Sequence, residues 1–202
     1  MPVAEPLVKK TSALNAVDDA ELILQFKNGS ESAFTTLVKR HQPRLLQVAT
    51  VLLKDENDAM DIVQDVFVKV YYSLRSFRED SALYTWLYRI LYNRCITHLR
   101  KKKIVSFFSI GDDENAIDIP STTPIPDKEY ENRELMGAIN AAIEKLPIRQ
   151  RTAFSLKQIN DLKFSEIAGI MGITEGAAKA SYFHAVKKLQ DLLKNYGDEY
   201  GL

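Results

Sequence analysis

Between Asp18 and Lys103 apolar positions return every three or four residues almost without a break, which predicts a succession of amphipathic helices. DDAELILQFKNG reads as a short first helix, with Asp18 or Asp19 near its start and Gly29 beyond its end. ESAFTTLVKRHQPRLLQVATVLLKD reads as a second, opened by Ser30 or Glu31, with Phe34, Leu37, Val38, Leu45, Val48 and Leu52 on one face. Pro43 predicts a kink in it, because proline lacks the N–H that a helix interior uses. In the third, DENDAMDIVQDVFVKVYYSLRSF, Ile62, Val66, Val70 and Leu74 form an i,i+4 stripe. The fourth, ALYTWLYRILYNRCITHLRKKK, turns Leu83, Leu87, Ile90 or Leu91, and Leu99 inward. Helices of this length bury a core together that none buries alone, so 18–103 is predicted as a domain behind a flexible tail at 1–17.

The periodicity fails after Lys103. Residues 104–132 contain Gly111, three prolines and an acidic excess, a composition too poor in buriable surface to order itself, and are predicted as a flexible linker. Ile104, Val105, Phe107, Phe108 and Ile110 are an apolar exception suited to docking. From Arg133 a stripe of Leu135, Ala138, Ile139, Ala142, Ile143 and Leu146 resumes, Pro147 stands where a helix start tolerates it, and a short helix, KFSEIAGIMG, ends at Gly172. Thr174 is placed to cap a last helix, which completes a second domain over 133–196 and leaves a tail at 197–202. The fold class expected is all-α: two small helical domains joined by a flexible acidic linker, the second ending in a helix-turn-helix.

One face carries candidate chemistry in the second domain. Ile167, Ala168 and Met171 point inward, Gly172 supplies a left-handed turn, and Ala178, Tyr182, Ala185, Leu189 and Leu192 commit one side of the last helix to packing. Thr174, Glu175, Gly176, Lys179, Ala180, Phe183, His184, Lys187 and Lys188 are left outward, as on a helix that enters a major groove by its amino end. Gly176 and Ala180 keep that end slim, Lys179 reaches a base edge or phosphate, Lys187 and Lys188 suit phosphates, and Arg149, Arg151 and Lys163 flank the same surface. The bland alternative is a helical domain with a solvated lysine face.

In the first domain Asp58, Asp61 and Asp65 share one side of the third helix, with Gln64, Lys69 and Tyr72 extending the polar surface; solvated charge would explain them equally, and no pocket or second element supports glycosidase chemistry. On the fourth helix Tyr84, Trp86, Tyr88 and Tyr92 interleave with Arg89, Arg94, His98 and Arg100 up to Lys101–Lys103, and no acid falls between Trp86 and Lys103. Rings that stack on bases and cations that hold the backbone suit opened or single-stranded DNA. The competing reading makes Trp86 core and the basic end a helix-terminus effect.

Charge alters this picture: 27 Lys+Arg against 27 Asp+Glu give a net charge of zero over 202 residues. Affinity for DNA then depends on where the cations sit, and weak intrinsic binding is expected from a protein that reads DNA with help. A single cysteine, Cys95, forms no internal disulfide, and His41, His98 and His184 lack metal-ligand spacing, so no cofactor or metal is expected. The amino terminus lacks a secretory pattern and LQVATVLL is too short to cross a bilayer, so a cytoplasmic setting without membrane insertion is expected.

NDAMDIVQDVFVKVYYSLRSFREDSALYTWLYRILYNRCITHLRKKK, followed in order by LPIRQRTAFSLKQINDLKFSEIAGIMGITEGAAKASYFHAVKKLQ, resembles a bacterial sigma-70 family factor of the extracytoplasmic-function group. The resemblance implies a promoter-specificity factor, not an enzyme, that joins core RNA polymerase, recognises minus-thirty-five and minus-ten elements and promotes DNA opening. It assigns Asp58, Asp61, Gln64, Asp65 and Phe67 to the clamp of the polymerase's largest subunit. It assigns Ser76, Phe77, Arg78, Ser81, Tyr84, Trp86, Arg89, Asn93, Arg94, Arg100 and Lys101 to the opened minus-ten strand. The helix-turn-helix would read the minus-thirty-five element and touch the polymerase flap, the acidic linker would thread toward the RNA exit path, and an anti-sigma protein is an expected partner. Anions and DNA-facing cations would then lie on different surfaces. Thr97, Lys163, Ala178, Ser181, His184 and Val186 depart from the family pattern and leave the reading helix poor in cations. A polymerase-independent helix-turn-helix repressor and a protein-binding module are the rival readings; tight duplex binding without polymerase distinguishes the first.

Overall fold

The computed structural model of the chain describes residues 17–78, 80–108 and 127–200. Among them lie eight α-helices and no strand: α1 (Asp19–Lys27), α2 (Glu31–Leu53), α3 (Glu56–Ser73), α4 (Leu83–Phe108), α5 (Asp127–Glu144), α6 (Ile148–Asn160), α7 (Phe164–Met171) and α8 (Glu175–Tyr200), with a 3-10 turn at Leu74–Ser76. The expected tail at 1–16, the middle of the expected linker at 109–126 and the last residues at 201–202 lie outside the described residues. The linker's ends are helical: α4 runs to Phe108 and α5 starts at Asp127, where Lys128, Glu129, Glu131 and Arg133 are good helix formers. α8 likewise continues through the expected carboxyl tail to Tyr200.

The starts follow the capping chemistry. The Asp18 carboxylate accepts from the Asp19 N–H, Asp55 accepts from the Asp58 N–H at 2.9 Å, and Thr174 Oγ1 accepts from the Ala177 N–H at 3.2 Å. At α7 the Glu166 carboxylate accepts from the Lys163 N–H at 2.8 Å; the reciprocal arm of a capping box is impossible, since an ammonium has no lone pair to offer. α2 runs unbroken through Pro43, which is exposed as Lys39 is, so water is at hand for the carbonyl that the proline leaves without a helical partner.

α2 is the hub, packed against α1, α3, α4 and α6. Its buried Leu37, Leu45, Val48 and Leu52 meet Val63 and Val66 of α3 and Leu87 and Leu91 of α4 in one apolar cluster. That cluster does not stop at the first half: Ala153, Leu156, Leu162, Ile167, Ile170 and Ala178 belong to it, while among the described residues Ala142, Leu146, Ala185 and Leu189 form a separate small core. Polar contacts cross the same seam. Arg151, 5% exposed, donates from Nη2 to the Leu52 carbonyl at 2.9 Å and from Nη1 to the Glu144 carbonyl at 3.3 Å, so it closes the carboxyl end of α2 where carbonyls lack helical partners. The Tyr88 hydroxyl donates to Asn160 Oδ1 at 2.6 Å, and the Tyr84 hydroxyl to the Glu166 carboxylate.

Replacing Arg151 with alanine leaves a buried carbonyl without a donor. Urea unfolding of the Arg151→Ala chain is expected to show a loss of about 2 kcal/mol. A change under about 0.5 kcal/mol would mean that desolvation of the guanidinium cancels its bonds.

Candidate nucleic-acid interface

The acids of α3 lie along the flank that faces α4. Asp61, Gln64 and Asp65 are exposed, whereas Asp58 is half-buried and accepts from Lys102 Nζ at 2.9 Å. His98 Nε2 stands 3.0 Å from the same carboxylate without hydrogen-bond alignment, Arg94 Nη1 is 3.3 Å from Asp65, and Lys102 lies 4.0 Å from Asp55. The expected separation of anions and cations onto different surfaces therefore does not hold here: three basic residues of α4 sit one turn apart against the α3 acids. The hydrogen bond from Lys102, against the opposing effect of burial and with help from His98, holds the Asp58 carboxyl below the ordinary aspartate value.

Phe67, which the resemblance assigns to the clamp with Asp61, Gln64 and Asp65, does not share the flank of Asp58 and Asp65. It is buried on the other flank of α3, where it lines an open groove of about 620 Å³ with Phe34, Val38, Met60, Val68 and Tyr71. Met60, Val68 and Tyr72 are 47%, 53% and 79% exposed there, so α3 carries a second apolar face beyond its core stripe. The signal was in the sequence as Met60, Gln64, Phe67, Val68 and Tyr71 at three- and four-residue spacing, masked by the stronger Ile62–Val66–Val70 repeat.

On α4 the rings and cations do not share one face. Trp86, Arg89, Asn93 and Arg100 fall on one side by helical spacing; Arg89, Asn93 and Arg100 are exposed and Trp86 is half-buried. Phe77 lies over Trp86, centroids 4.8 Å apart, and Lys27 Nζ donates to the Phe77 carbonyl at 3.1 Å, which anchors the loop that carries exposed Ser76, Arg78 and Ser81. Arg94 and Lys101 are exposed toward the α3 side. Tyr84 and Tyr88 turn the other way, into the seam with α6 and α7, where burial pushes the Tyr88 hydroxyl up to about 12. In this arrangement their hydroxyls are engaged by Glu166 and Asn160, and the Tyr88 ring is buried; Tyr84 and Tyr92 are half-buried.

The helix-turn-helix forms as its residues require. α7 ends at Gly172 with φ +65°, a left-handed conformation that glycine adopts without strain, and α8 starts behind Thr174. Thr174, Glu175, Gly176, Lys179, Ala180, Phe183, His184 and Lys187 are exposed and Lys188 is half-buried, while Ala178, Ala185 and Leu189 are buried. Arg149 and Lys163 are exposed beside them. Arg151 is the correction: it is buried under the end of α2 and does not flank this surface, since a guanidinium satisfies orphan carbonyls as readily as it binds phosphate.

Residues 37–104 match the model of Sigma-70 region 2, and residues 136–189 match that of Sigma-70, region 4. The RNA polymerase sigma-H factor of Pseudomonas aeruginosa is 31% identical over 90% of this chain and 98% of its own length. The chain belongs to the sigma-70 family, in its extracytoplasmic-function group. The ECF RNA polymerase sigma-E factor of Escherichia coli K12 is 31% identical over 87% of this chain and 96% of that protein. Two solved structures share the fold: CnrH in complex with the cytosolic domain of CnrY (TM-score 0.61, 25% identity, 88% of this chain and 97% of that one) and RpoE with the anti-sigma factor NepR from Bartonella quintana (TM-score 0.65, 27% identity, 80% and 96%). This sigma factor is accordingly a promoter-specificity factor for transcription initiation. Among the described residues no helix is long and apolar enough to cross a membrane, and no three His, Cys, Asp or Glu side chains group as metal ligands.

Glu166 and Asn160, which sequence reasoning left out, join Arg151 in tying the two matched regions together through polar contacts; only the three-residue step from Lys163 to Glu166 hinted at one of them. The pairing of Asp58 gives a pH signature. Its depressed value makes its contribution to stability full above the unfolded aspartate value and lost as pH falls through the folded one, below about pH 4. Denaturation of wild type and Asp58→Asn at pH 6 and pH 3 is expected to show a stability gap that narrows at the lower pH.

Proposed function

We propose that this sigma factor works as two units, 18–103 and 133–196, that grip separate promoter elements once core RNA polymerase sets their distance. The face of α4 that aligns Trp86, Arg89, Asn93 and Arg100 behind the Phe77 ring carries the reading: a platform and a row of donors, with no acid on that helix from Trp86 to Lys103. It receives the opened minus-ten strand, with Ser76, Arg78 and Ser81 on the adjoining loop and Arg94 and Lys101 on the flank. Stacking there offsets part of the few kcal/mol that each unstacked step costs.

Asp61, Gln64 and Asp65 meet the clamp of the largest subunit, and the apolar groove over Phe67 lies beside them as a further contact. Asp58 serves this surface indirectly, by fixing α4 against α3 through Lys102. The outward face of α8 reads the minus-thirty-five duplex close to the flap. Nucleotidyl transfer stays with the polymerase, in the cytoplasm, and the chain adds no chemistry or cofactor of its own. The complexes named for CnrH with CnrY and for RpoE with NepR support an anti-sigma protein as its restraining partner. Tyr84 and Tyr88 reach the promoter only after the Glu166 and Asn160 bonds are exchanged.

Permanganate reactivity of promoter thymines, with the full chain and core polymerase together and apart, tests the reading: reactivity is expected only when both are present. Protection of duplex by the chain alone would favour a repressor. In the same assay Trp86→Ala is expected to lower opening about tenfold, the worth of one stacked base. For the clamp surface, Asp61→Lys is expected to weaken association with core polymerase about tenfold in a competition titration, by setting like charges against each other. Asp61 is the cleaner choice there than Asp65, because reversing Asp65 also breaks its contact with Arg94.

A further inference from the structure

The outer stripe of α8 is unusual for a groove-entering helix in what it lacks. Gly176, Ala180, Phe183 and Lys187 follow one another along the side opposite the buried Ala178, Ala185 and Leu189, and Lys187 alone among them is charged. Lys179, the cation nearest the amino end, is held by Glu175 at 2.8 Å one turn back, so its head is already paired where a guanine acceptor would need it. Phe183 is 62% exposed, and its ring rests on Phe164 and Tyr182 at 6.4 Å and 5.7 Å, centroid to centroid. Gly176 lies in the helix with nothing within 4 Å of where a Cβ would sit. Nothing inside the chain asks for glycine there, in the first turn of α8. A bare backbone at that point serves a body that approaches from outside.

Resting on the reading of α8 as the minus-thirty-five helix, we propose that Phe183 is a specificity residue that selects thymine at the upstream element by packing against its 5-methyl group. The base edges of the major groove offer hydrogen-bonding groups and one apolar feature, the thymine methyl. A helix whose central projecting group is an aromatic ring, behind a glycine and an alanine that let it come close, has apolar surface to offer and few donors. Ala180, one turn before Phe183, adds a second small apolar contact on the same side. Lys187, one turn after it, is placed for a phosphate and contributes affinity without preference.

The test uses holoenzyme reconstituted from core polymerase and the full chain, and a duplex pool randomised over the upstream element. Enriched duplexes are expected to hold a thymine at a fixed upstream position on one strand. Replacing that thymine with deoxyuridine keeps every hydrogen bond and removes only the methyl; it is expected to weaken wild-type binding about fourfold, the worth of one buried methyl-sized group. In Phe183→Ala the same replacement is expected to change binding by less than about 1.5-fold. Lys187→Ala, as a control, is expected to bind all sequences more weakly and keep the uracil effect. Phe183 is exposed, so its truncation leaves the fold in place, and circular dichroism of the variant checks that directly. Enrichment without a uracil effect, or a uracil effect that survives Phe183→Ala, would overturn the proposal and leave the promoter-binding role standing. Absence of any enrichment would instead remove the upstream-reading role of α8 itself.

Discussion

The carboxyl end of α2 is the place on which the rest of the structure rests. Four carbonyls there have no helical partner, and the chain closes one of them with a guanidinium brought from a residue 99 positions later, Arg151 on α6. Around this bond Leu52, Ala153, Leu156 and Ile167 are excluded from water, so the hydrogen bond forms where an unmade one would be most expensive. Because α2 also packs on α1, α3 and α4, fixing its end fixes the direction in which the acidic and basic faces of the first half point. A well-packed apolar side chain in place of Arg151 could match its stability. What the arginine adds is register, since its fork reaches both the Leu52 and the Glu144 carbonyls and only one placement of α6 satisfies the two.

Most helices were legible because their apolar stripes were long. Ile62, Val66 and Val70 on α3 with Leu74 in the turn after it, and Leu83, Leu87 and Leu91 on α4, are buried as their spacing requires. Periodicity names the face that leaves water but not the partner it meets, which is why the shared core across the two regions was not foreseen. The misplacements have the same root. Tyr84, Tyr88 and Arg151 combine an apolar body with a polar tip, and such side chains look alike in sequence whether the tip ends in DNA, in solvent or on a buried carbonyl. The resemblance groups Phe67 with Asp61, Gln64 and Asp65, and it lines the groove of α3 beside Met60, Val63 and Gln64, away from the flank of Asp58 and Asp65.

Charge balance and DNA binding are reconciled by geometry. Arg94 and Lys102 face α3 carboxylates, and the exposed Arg94–Asp65 pair contributes little to stability and loses strength in salt. Arg89 and Arg100 are on the side of α4 away from those acids, so a neutral chain still presents, among the described residues, a cationic strip next to Trp86. Such a strip is too short for tight binding alone. It becomes effective when a large partner raises the local concentration of the strand, so that the second contact is intramolecular.

The seam between the regions combines two kinds of interaction with different exchange behaviour. Leu162, Ile167 and Ile170 are buried at 5%, 0% and 2% exposure, and separating them from the first half returns apolar surface to water. The Tyr84–Glu166 and Tyr88–Asn160 bonds stand at the edge, beside a polar cleft of about 390 Å³ that also holds His41, Arg44 and Lys163. Each contributes on the order of 1 kcal/mol net, because water or another polar ligand replaces it on opening. Loosening the edge is therefore a small step and parting the apolar centre a large one. A partner that opens the seam must supply apolar surface of its own to the faces it uncovers, and hydrogen-bond competition by DNA alone does not provide that.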